Sequence, residues 1–464
     1  MVITFHHIPK KYRINKYNYK VIDDKFFVSS INGGFAILTE EEFQLLRHEK
    51  VENNLNLFRV LEEQGIIITD ENIHRIAKMF ADKKSFLFHS VDLHIISVTL
   101  RCNHKCIYCH AKSKGMKEKQ YDMDEKTAKK VVEFIFQSPS KYLDIEFQGG
   151  EPLVNFPIIQ YIVEYSKKLA QEKNKQIHFN IVSNFTLMDD DILDFLIENK
   201  FNINTSLDGP KEVHDKNRIY TGGSSYEKVV HWIKVIKERN YPVAALPTIS
   251  KFSLPFWKEI IDEYRSLGLM NIRLRQMNNA GFASERWQQI GYSPQEFIEF
   301  WKRGLDYIIE LNKQGIRMRE GMTQLALQKL MLKKYNGYTC WGWPCGAALS
   351  QCGYNYNGDI YTCDEARSFE EFKIGNVNQT YKEVFLSPVV AGFLNATSSL
   401  LNKCERCVWL PFCGPCLVCT FGQQKRMLGD MNVDNECFIR QNILETVMKK
   451  LMNEEEREIL LKWL

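Results

Sequence analysis

Three closely spaced cysteines after a predicted strand constrain this chain more than any other feature. Cys102, Cys106 and Cys109 form a C-x3-C-x2-C pattern. The preceding residues 91–100 are rich in apolar and β-branched side chains and contain no glycine or proline, which predicts a strand. The cysteines are therefore expected on a loop that leaves the carboxyl end of that strand. Three thiolates can hold three irons of a cubane and leave the fourth iron open for another ligand.

The spacing of the three cysteines is also compatible with a zinc site or with an ordinary core. Zinc usually takes four protein ligands in structural sites, and His104 and His110 are nearby candidates for the fourth. The cysteines can also be unrelated residues of a hydrophobic core. Motifs further along the chain distinguish these possibilities.

Length and composition limit the class of protein. A chain of 464 residues is expected to form two or three domains. The net charge of +4 is too small to indicate a nucleic-acid partner. No apolar run approaches the roughly 18 residues of a membrane span, and residues 1–13 do not form a secretory signal. We therefore predict a cytoplasmic protein, in which 13 cysteines are more often metal ligands than disulfides.

Residues 1–80 are predicted to form a separate, winged-helix-like domain. Short strands are expected at 17–22, 26–30 and 35–38, with turn residues between them. Thr39 is an expected N-cap, because acidic residues and an apolar helical face follow it. A second helix is expected over residues 54–63, and residues 66–68 resemble a wing strand.

Residues 91–318 are predicted to form a parallel α/β sheet, because strands and helices alternate there. The first helix, over residues 125–136, has its apolar residues on one face. Ligand sites of parallel α/β sheets lie at the carboxyl ends of the strands. Six strands are expected, at residues 91–100, 143–147, 177–182, 201–206, 243–249 and 271–277.

Polar motifs follow these strands at the positions where a site is expected. Gly149, Gly150 and Glu151 come after the second strand, where glycines allow close backbone approach and Glu151 supplies a charge. Asn184 follows the third strand, and Asp208 follows the fourth. Asp208 can equally cap the next turn. Two helices are then expected between residues 293 and 334, the first begun by Ser293-Pro294.

The remaining cysteines are concentrated in the last part of the chain, residues 319–464. Cys345 and Cys363 flank Gly358 with twelve and four intervening residues, and Cys404-x2-Cys407-x5-Cys413 comes later. The paired C-x2-C spacing also suits a zinc knuckle. The full set is Cys340, Cys345, Cys352, Cys363, Cys404, Cys407, Cys413, Cys416, Cys419 and Cys437.

The first cysteine motif and the Gly-Gly-Glu motif together resemble the radical S-adenosylmethionine (SAM) superfamily. Its C-x3-C-x-aromatic-C loop is matched with Tyr108 as the aromatic residue. The resemblance implies a partial (β/α)6 barrel and a 4Fe–4S cluster whose open iron is chelated by SAM. It also implies that one electron passed to SAM yields a 5′-deoxyadenosyl radical. The residues expected to contact SAM or substrate are Tyr108, Gly149, Gly150, Glu151, Asn184, Ser206, Asp208 and Arg218.

The cysteine-rich end resembles the SPASM extension, which carries two auxiliary 4Fe–4S clusters. The resemblance assigns one cluster to Cys340, Cys345, Cys363 and Cys416, and the other to Cys404, Cys407, Cys413 and Cys437. Cys413 and Cys416 are separated by two residues where the family pattern has three, so Cys419 is an alternative to Cys416. Cys352 is likewise an alternative to Cys340.

The nearest groups by resemblance are maturases of ribosomally synthesised peptides, namely the thioether-forming (ranthipeptide) and His-Xaa-Ser system enzymes. The N-terminal domain resembles those that bind the leader of a precursor peptide by strand addition, although it can also be a structural extension. Asp364 matches a proposed base of anaerobic sulfatase maturases, and a capped surface turn is its alternative. A flavodoxin or ferredoxin is the expected reductant. The resemblance predicts an enzyme that forms thioether cross-links in a precursor peptide. The alternatives are C–C cross-linking, formylglycine formation in a sulfatase, and a zinc-binding peptide adaptor without catalysis.

Overall fold

The computed structural model describes residues 12–88, 90–332, 337–398 and 403–464. The predicted lack of a secretory signal falls largely on residues 1–11, which lie outside the described residues. None of the helices in the described ranges is both long and apolar enough to cross a membrane.

The N-terminal unit has the strands and helices predicted for it. Thr39 accepts from the Glu42 backbone N–H and Glu42 closes the capping box, which fixes the start of the first helix. The predicted wing pairs with residues 13–14 and not with the three-stranded sheet. The elements are β1 Arg13–Ile14, β2 Tyr17–Ile22, β3 Lys25–Ser30, β4 Phe35–Leu38, α1 Glu40–Arg47, α2 Leu55–Glu63, β5 Ile67–Ile68 and α3 Ile73–Lys83.

The three-stranded sheet β2-β3-β4 is covered on both faces. Successive side chains of a strand point to opposite faces, so Phe26 and Phe27 of β3 face different partners. Phe26 stacks on Phe43 of α1 with ring centroids 4.1 Å apart. Phe27 stacks on Trp409, near the C-terminal end of the chain, at 4.7 Å. The N-terminal unit is therefore packed against the cysteine-rich region.

The predicted parallel sheet is present, and its first five strands lie in the spatial order β12-β10-β9-β8-β6. The fifth and sixth predicted strands are each broken into two pieces, and β13 pairs with β15 in parallel. The elements are β6 Leu93–Ser97, β7 His104–Cys106, α4 Glu125–Ile135, β8 Tyr142–Gln148, α5 Phe156–Glu172, β9 Gln176–Ser183, α6 Asp190–Glu198, β10 Asn202–Ser206, α7 Lys211–Asn217, β11 Arg218–Tyr220, α8 Ser225–Glu238, β12 Val243–Leu246, β13 Thr248–Ile249, α9 Trp257–Ser266, β14 Asn271–Ile272 and β15 Arg275–Gln276.

The two helices predicted between residues 293 and 334 are confirmed, and Ser293 begins the first with a capping box. The rest of the chain is α10 Phe282–Glu285, α11 Trp287–Ile290, α12 Pro294–Lys313, β16 Arg319–Glu320, α13 Gly321–Met331, β17 Gln351–Tyr354, β18 Asp359–Tyr361, β19 Lys373–Asn376, α14 Tyr381–Phe385, α15 Pro388–Ser398, α16 Leu417–Gln424, α17 Asn435–Met452 and α18 Glu454–Leu461.

The cysteine-rich region shares the central sheet with the barrel. Strand β17 pairs in parallel with β6, with Gln351 opposite Leu93, and the sheet continues through β18 and β19. This gives one sheet of eight strands. The domain boundaries predicted from the sequence, at residues 80 and 318/319, stay predictions. A cut at 318/319 would separate two adjacent strands of one sheet.

The contact between Phe27 and Trp409 predicts a stability effect. Both side chains are 1% exposed, so Phe27→Ala leaves a cavity between the two units. We expect a loss of about 3–5 kcal/mol in the free energy of unfolding, measured by chemical denaturation. Hydrogen exchange should also increase in residues 404–413. Phe88→Ala is the control, because Phe88 is 90% exposed and its removal should change stability by about 0.5 kcal/mol or less.

Candidate active site

The first cysteine segment is held by main-chain pairing. Residues His104–Cys106 form the short strand β7, which pairs antiparallel with β11 and places Cys106 opposite Arg218. The backbone N–H of Cys102 donates to the carbonyl of Lys114 at 3.0 Å. The sequence predicted a plain loop here, and the difference arises because β11 lies more than a hundred residues further along the chain.

The two glycines after β8 let the backbone approach the first cysteine segment. A Cβ on Gly149 would lie 2.2 Å from the carbonyl oxygen of Thr99, and one on Gly150 would lie 2.2 Å from that of Arg101. The Gly150 N–H donates to the Thr99 carbonyl at 2.8 Å. Any side chain at Gly150 would therefore displace the segment that begins at Cys102.

Glu151 is buried and oriented towards the end of the third strand. Its carboxylate accepts from the Ser183 hydroxyl at 2.7 Å, the Asn184 N–H at 2.8 Å and the Leu153 N–H at 3.1 Å. Burial raises the pKa of Glu151 to about 7, against the lowering effect of these donors. Glu151 thus fixes the position of Asn184, and its contact with SAM stays a prediction.

Asp208 is the centre of a buried network beside the first cysteines. Its Oδ1 accepts from the Thr248 N–H at 3.0 Å and from Arg218 Nε at 3.2 Å. Its Oδ2 accepts from the hydroxyl of Tyr108 and from Asn217 Nδ2. Asp208 does not cap the following helix, whose N-cap is Pro210 without a side-chain bond. The network links the fourth strand to Tyr108, between Cys106 and Cys109.

Arg218 places a positive charge near the same cysteines, and Asn184 places a polar amide there. Burial raises the pKa of the Cys106 thiol to about 12, and Arg218 opposes this rise. Asn184 Nδ2 donates to Asn103 Oδ1 at 3.0 Å and lies 4.0 Å from Cys102 Sγ. Ser206, the last residue of β10, is half-buried. The predicted residues of strands two to four therefore meet at one edge of the sheet.

Asp364 also lies at this edge, although it comes from the cysteine-rich region. Arg367 Nε donates to Asp364 Oδ1 at 3.1 Å, and Arg367 reaches Gln148 at the end of β8. Asp364 Oδ2 is 3.9 Å from His110 Nε2. Burial raises the pKa of Asp364, but Arg367 and His110 outweigh it, so the pKa lies below its usual range. Arg367 carries no sequence motif that would place it at this edge, whereas Gln148 directly precedes the Gly-Gly-Glu motif.

None of the thirteen cysteines forms a disulfide. Those assigned to the first auxiliary cluster are neighbours. Burial raises the pKa of the Cys345 thiol to about 12, and nearby Cys416 and Cys340 raise it as well. The pKa of Cys363 is raised by burial, Cys416 and Cys345. The alternative Cys352 lies on β17, where its thiol donates to the Tyr354 hydroxyl oxygen at 3.3 Å.

Cys416 and Cys419, the two candidates for the fourth ligand of the first auxiliary cluster, are close to each other. A hydrogen bond from Cys419 lowers the pKa of Cys416. Cys345 and Cys363 are both influenced by Cys416, which favours Cys416 as the shared neighbour. The ligand assignment itself stays a prediction.

The cysteines assigned to the second auxiliary cluster surround one cavity. Burial raises the pKa of Cys413 to about 12, Arg440 lowers it, and the thiols of Cys437, Cys407 and Cys404 raise it. The pKa of Cys404 is likewise raised to about 12 by burial, Cys437 and Cys407. These four cysteines and Cys416 line the cavity together with Arg440.

The donor chemistry of these sites suits iron–sulfur clusters. Burial disfavours the thiolate form of a cysteine. Iron offsets this effect, because a thiol that coordinates a metal loses its proton. The two histidines considered as a fourth zinc ligand have other neighbours. The His104 ring packs on Tyr220 at 5.1 Å, and His110 faces Asp364. The described residues contain no three or more His, Cys, Asp or Glu side chains grouped closely enough to bind one metal ion together. The thiolates of a cubane do not have to share one ion, because each binds a different iron.

Comparison with known proteins identifies two domain families. Residues 96–265 match the Radical SAM superfamily, and residues 345–408 match SPASM, an iron–sulfur cluster-binding domain. A cysteine-type anaerobic sulfatase-maturating enzyme of Clostridium perfringens (strain 13 / Type A) is 24% identical over 364 residues, which is 76% of this chain and 95% of that enzyme. The two families confirm the predicted fold class and the expected cofactors, 4Fe–4S clusters and SAM.

Two solved structures share the fold. One, described as His6-tagged anSMEcpe with bound AdoMet, has a TM-score of 0.68 and 22% identity, covering 81% of this chain and 98% of that one. The other, Streptococcus suis SuiB bound to precursor peptide SuiA, has a TM-score of 0.54 and 17% identity. It covers 90% of this chain and 98% of that one.

The packing of Gly150 predicts that even a methyl group disturbs the first cysteine segment. We expect Gly150→Ala to lower the iron content and to abolish SAM cleavage, because the Cβ meets backbone and not a flexible side chain. Iron analysis and 5′-deoxyadenosine release measure the two effects. Gly392→Ala is the control, since a Cβ there has no atom within 4 Å. Normal SAM cleavage by Gly150→Ala would contradict the proposed role of the glycine.

Proposed function

We propose that this chain, a radical SAM enzyme with a SPASM domain, forms thioether cross-links in a ribosomally synthesised precursor peptide. The bond joins a cysteine sulfur of the peptide to a carbon of a nearby residue. The observation that carries the proposal is the packing of an N-terminal sheet against the segment that bears the auxiliary cysteines. A peptide-binding unit at this place keeps its ligand next to the cluster region.

The residues proposed to hold the cofactors follow the prediction. Cys102, Cys106 and Cys109 would hold the SAM-binding cluster, and the two cysteine sets of the SPASM region would hold the auxiliary clusters. When bound, these groups supply a 5′-deoxyadenosyl radical that takes hydrogen from carbon, and an acceptor for one electron. The protein's own residues position the reactants and exclude water.

Positioning is the proposed role of the buried network at the strand ends. Asp208 fixes Tyr108 and Arg218 beside the first cysteines. Glu151 holds the backbone of Asn184, whose side chain reaches Asn103 next to Cys102. Each of these carboxylates accepts several hydrogen bonds, so their positions do not depend on a bound ligand.

Asp364 is the proposed base for the substrate thiol. Thioether formation removes a hydrogen atom from carbon, a proton from the thiol, and one electron. Arg367 donates to Oδ1 of Asp364, and Oδ2 of Asp364 faces His110. We assign the proton to Asp364 Oδ2, the oxygen that lies 3.9 Å from His110 Nε2. The ion pair with Arg367 also supports the orientation of the carboxylate towards the strand ends.

The N-terminal unit is proposed to bind the leader of the precursor along β2. This strand is at an edge of its sheet, and an edge strand offers unpaired backbone groups to an added strand. A pocket of about 410 Å³ lies beside it, lined by Tyr19 and Lys20 of β2 and by Lys403 and Arg406. The cationic lining favours a leader with acidic residues.

A second function is supported by the relatives. The sulfatase-maturating enzyme of Clostridium perfringens matches over 95% of its own length, so formylglycine formation in a sulfatase is the alternative. The anSMEcpe structure leaves about a fifth of this chain uncovered, since it spans 81%. The SuiB structure, bound to a precursor peptide, spans 90%. This greater coverage is the support for a peptide precursor, whereas anSMEcpe has the higher TM-score, 0.68 against 0.54.

Charge reversal in the pocket tests leader binding. Arg406→Glu should weaken binding of the candidate precursor by about fivefold, because an attraction is replaced by a repulsion. Fluorescence anisotropy with the labelled candidate precursor peptide measures the change. Arg457→Glu, an exposed cation of α18 that does not line the pocket, is the matched control. Equal affinities for both variants would exclude this pocket. Deletion of residues 1–80 is less specific, because it also uncovers Trp409.

The mass of the product distinguishes the chemical alternatives. A thioether should make the peptide lighter by two hydrogens per bond, and the linked cysteine should resist alkylation. The measurement is mass spectrometry of the co-expressed peptide before and after iodoacetamide treatment. Loss of two hydrogens with every cysteine still alkylated indicates C–C coupling and contradicts the thioether. Conversion of a sulfatase cysteine to an aldehyde, with the peptide unchanged, indicates formylglycine formation.

A further inference from the structure

Arg440 is a buried cation that lies between the two auxiliary cysteine sets. It is on α17, the helix whose first turn also carries Cys437, and it is only 5% exposed. Its Nη1 donates to the Gly414 carbonyl at 2.8 Å. Gly414 directly follows Cys413 of one set and precedes Cys416 of the other by two residues.

Residues of both sets are within the electrostatic reach of Arg440. Cys413 and Cys437 belong to the second set, and Arg440 lowers the pKa of both thiols against the effect of burial. Cys416 of the first set lines the same cavity as Arg440 and the second set. Arg440 also opposes the raised pKa of Cys345, another member of the first set. One guanidinium therefore faces ligands assigned to two different clusters.

The position of Arg440 is fixed by a carboxylate and not by the cysteines. Glu436, one turn earlier on α17, accepts from Arg440 Nε at 3.0 Å. Glu436 in turn accepts from Gln276 of β15 at 2.6 Å. The cation is thus tied through Glu436 to the sixth strand of the barrel. It remains charged because a guanidinium does not lose its proton in proteins.

Lys403 lines the cavity of the second set, and Arg273 is near Cys340 of the first. Lys329, like Arg440, is near cysteines of both sets, and it differs from Arg440 in one respect. It acts mainly on the first set and on Cys413, and burial lowers its own pKa to about 7. Its charge therefore depends on pH, whereas the charge of Arg440 does not. Arg440 is the permanent positive charge common to both sets.

We propose that Arg440 raises the reduction potentials of both auxiliary clusters together, with Glu436 limiting the size of the effect. A cluster held by four thiolates becomes more negative on reduction, so a fixed cation stabilises the reduced form. Net charge near a cluster is one of the factors that set its potential. The inference rests on the proposed assignment of these cysteines to clusters.

The test is a redox titration of the reconstituted full-length enzyme with dithionite, monitored by electron paramagnetic resonance. Arg440→Met should shift the midpoint potentials of both auxiliary clusters to more negative values and leave that of the SAM-binding cluster unchanged. Glu436→Gln should shift both in the opposite direction, because it removes the anion that partly neutralises Arg440. Arg457→Met, an exposed cation elsewhere, should shift neither.

Unchanged potentials in Arg440→Met at full iron content would overturn the inference, as would a shift in only one auxiliary cluster. If Arg440→Met assembles incomplete clusters, Glu436→Gln decides, and the absence of a positive shift contradicts the proposal. Opposite shifts in the two variants cannot arise from a purely structural role, which would lower iron content without that sign. Product formation by the wild type is measured separately. A wild type that cross-links no peptide contradicts the proposed function and does not affect the comparison of potentials.

Discussion

Burial of many thiols in one protein creates an electrostatic problem, and the arrangement of the other charges follows from it. Burial alone raises the pKa of thiols such as Cys106, Cys345 and Cys413, so thiolates at these places need positive charge nearby. Iron supplies most of it when clusters are bound. The chain adds Arg218 at the first segment and Arg440 at the others. Each arginine is itself fixed by a carboxylate, Asp208 and Glu436 respectively.

This pairing accounts for the structural contacts of the carboxylates near the site. Asp208 connects the fourth strand, Tyr108 and Arg218, and Glu436 connects the barrel to α17 through Gln276. An unpaired buried charge would cost several kcal/mol, so removing either carboxylate affects more than one element. The carboxylates that position the cysteine segments therefore also hold the arginines that place positive charge near the thiols.

The three regions of the chain are packed against one another around the cysteines. Strand β17 extends the barrel sheet from β6, and the N-terminal sheet covers Trp409 with Phe27. Arg367 of the cysteine-rich region donates to Gln148 at the end of β8 and to its neighbour Asp364. A peptide bound at the N-terminal unit would consequently be held against the auxiliary cysteines, and truncation of that unit would also expose the interface.

The sequence by itself determined the cysteine motifs, the six-strand pattern and the helix caps at Thr39 and Ser293, because these depend on spacing and periodicity within short segments. It could not determine that Arg367 and Arg440 lie at the cysteine sites, since an arginine carries no local signature of its partner. It also left open Cys340 against Cys352 and Cys416 against Cys419. The tertiary structure places Cys352 on a strand beside Tyr354 and brings Cys416 near Cys345 and Cys363. The physical reason is that parallel pairing and buried charge join residues far apart in the chain, and only the packed chain brings them into contact.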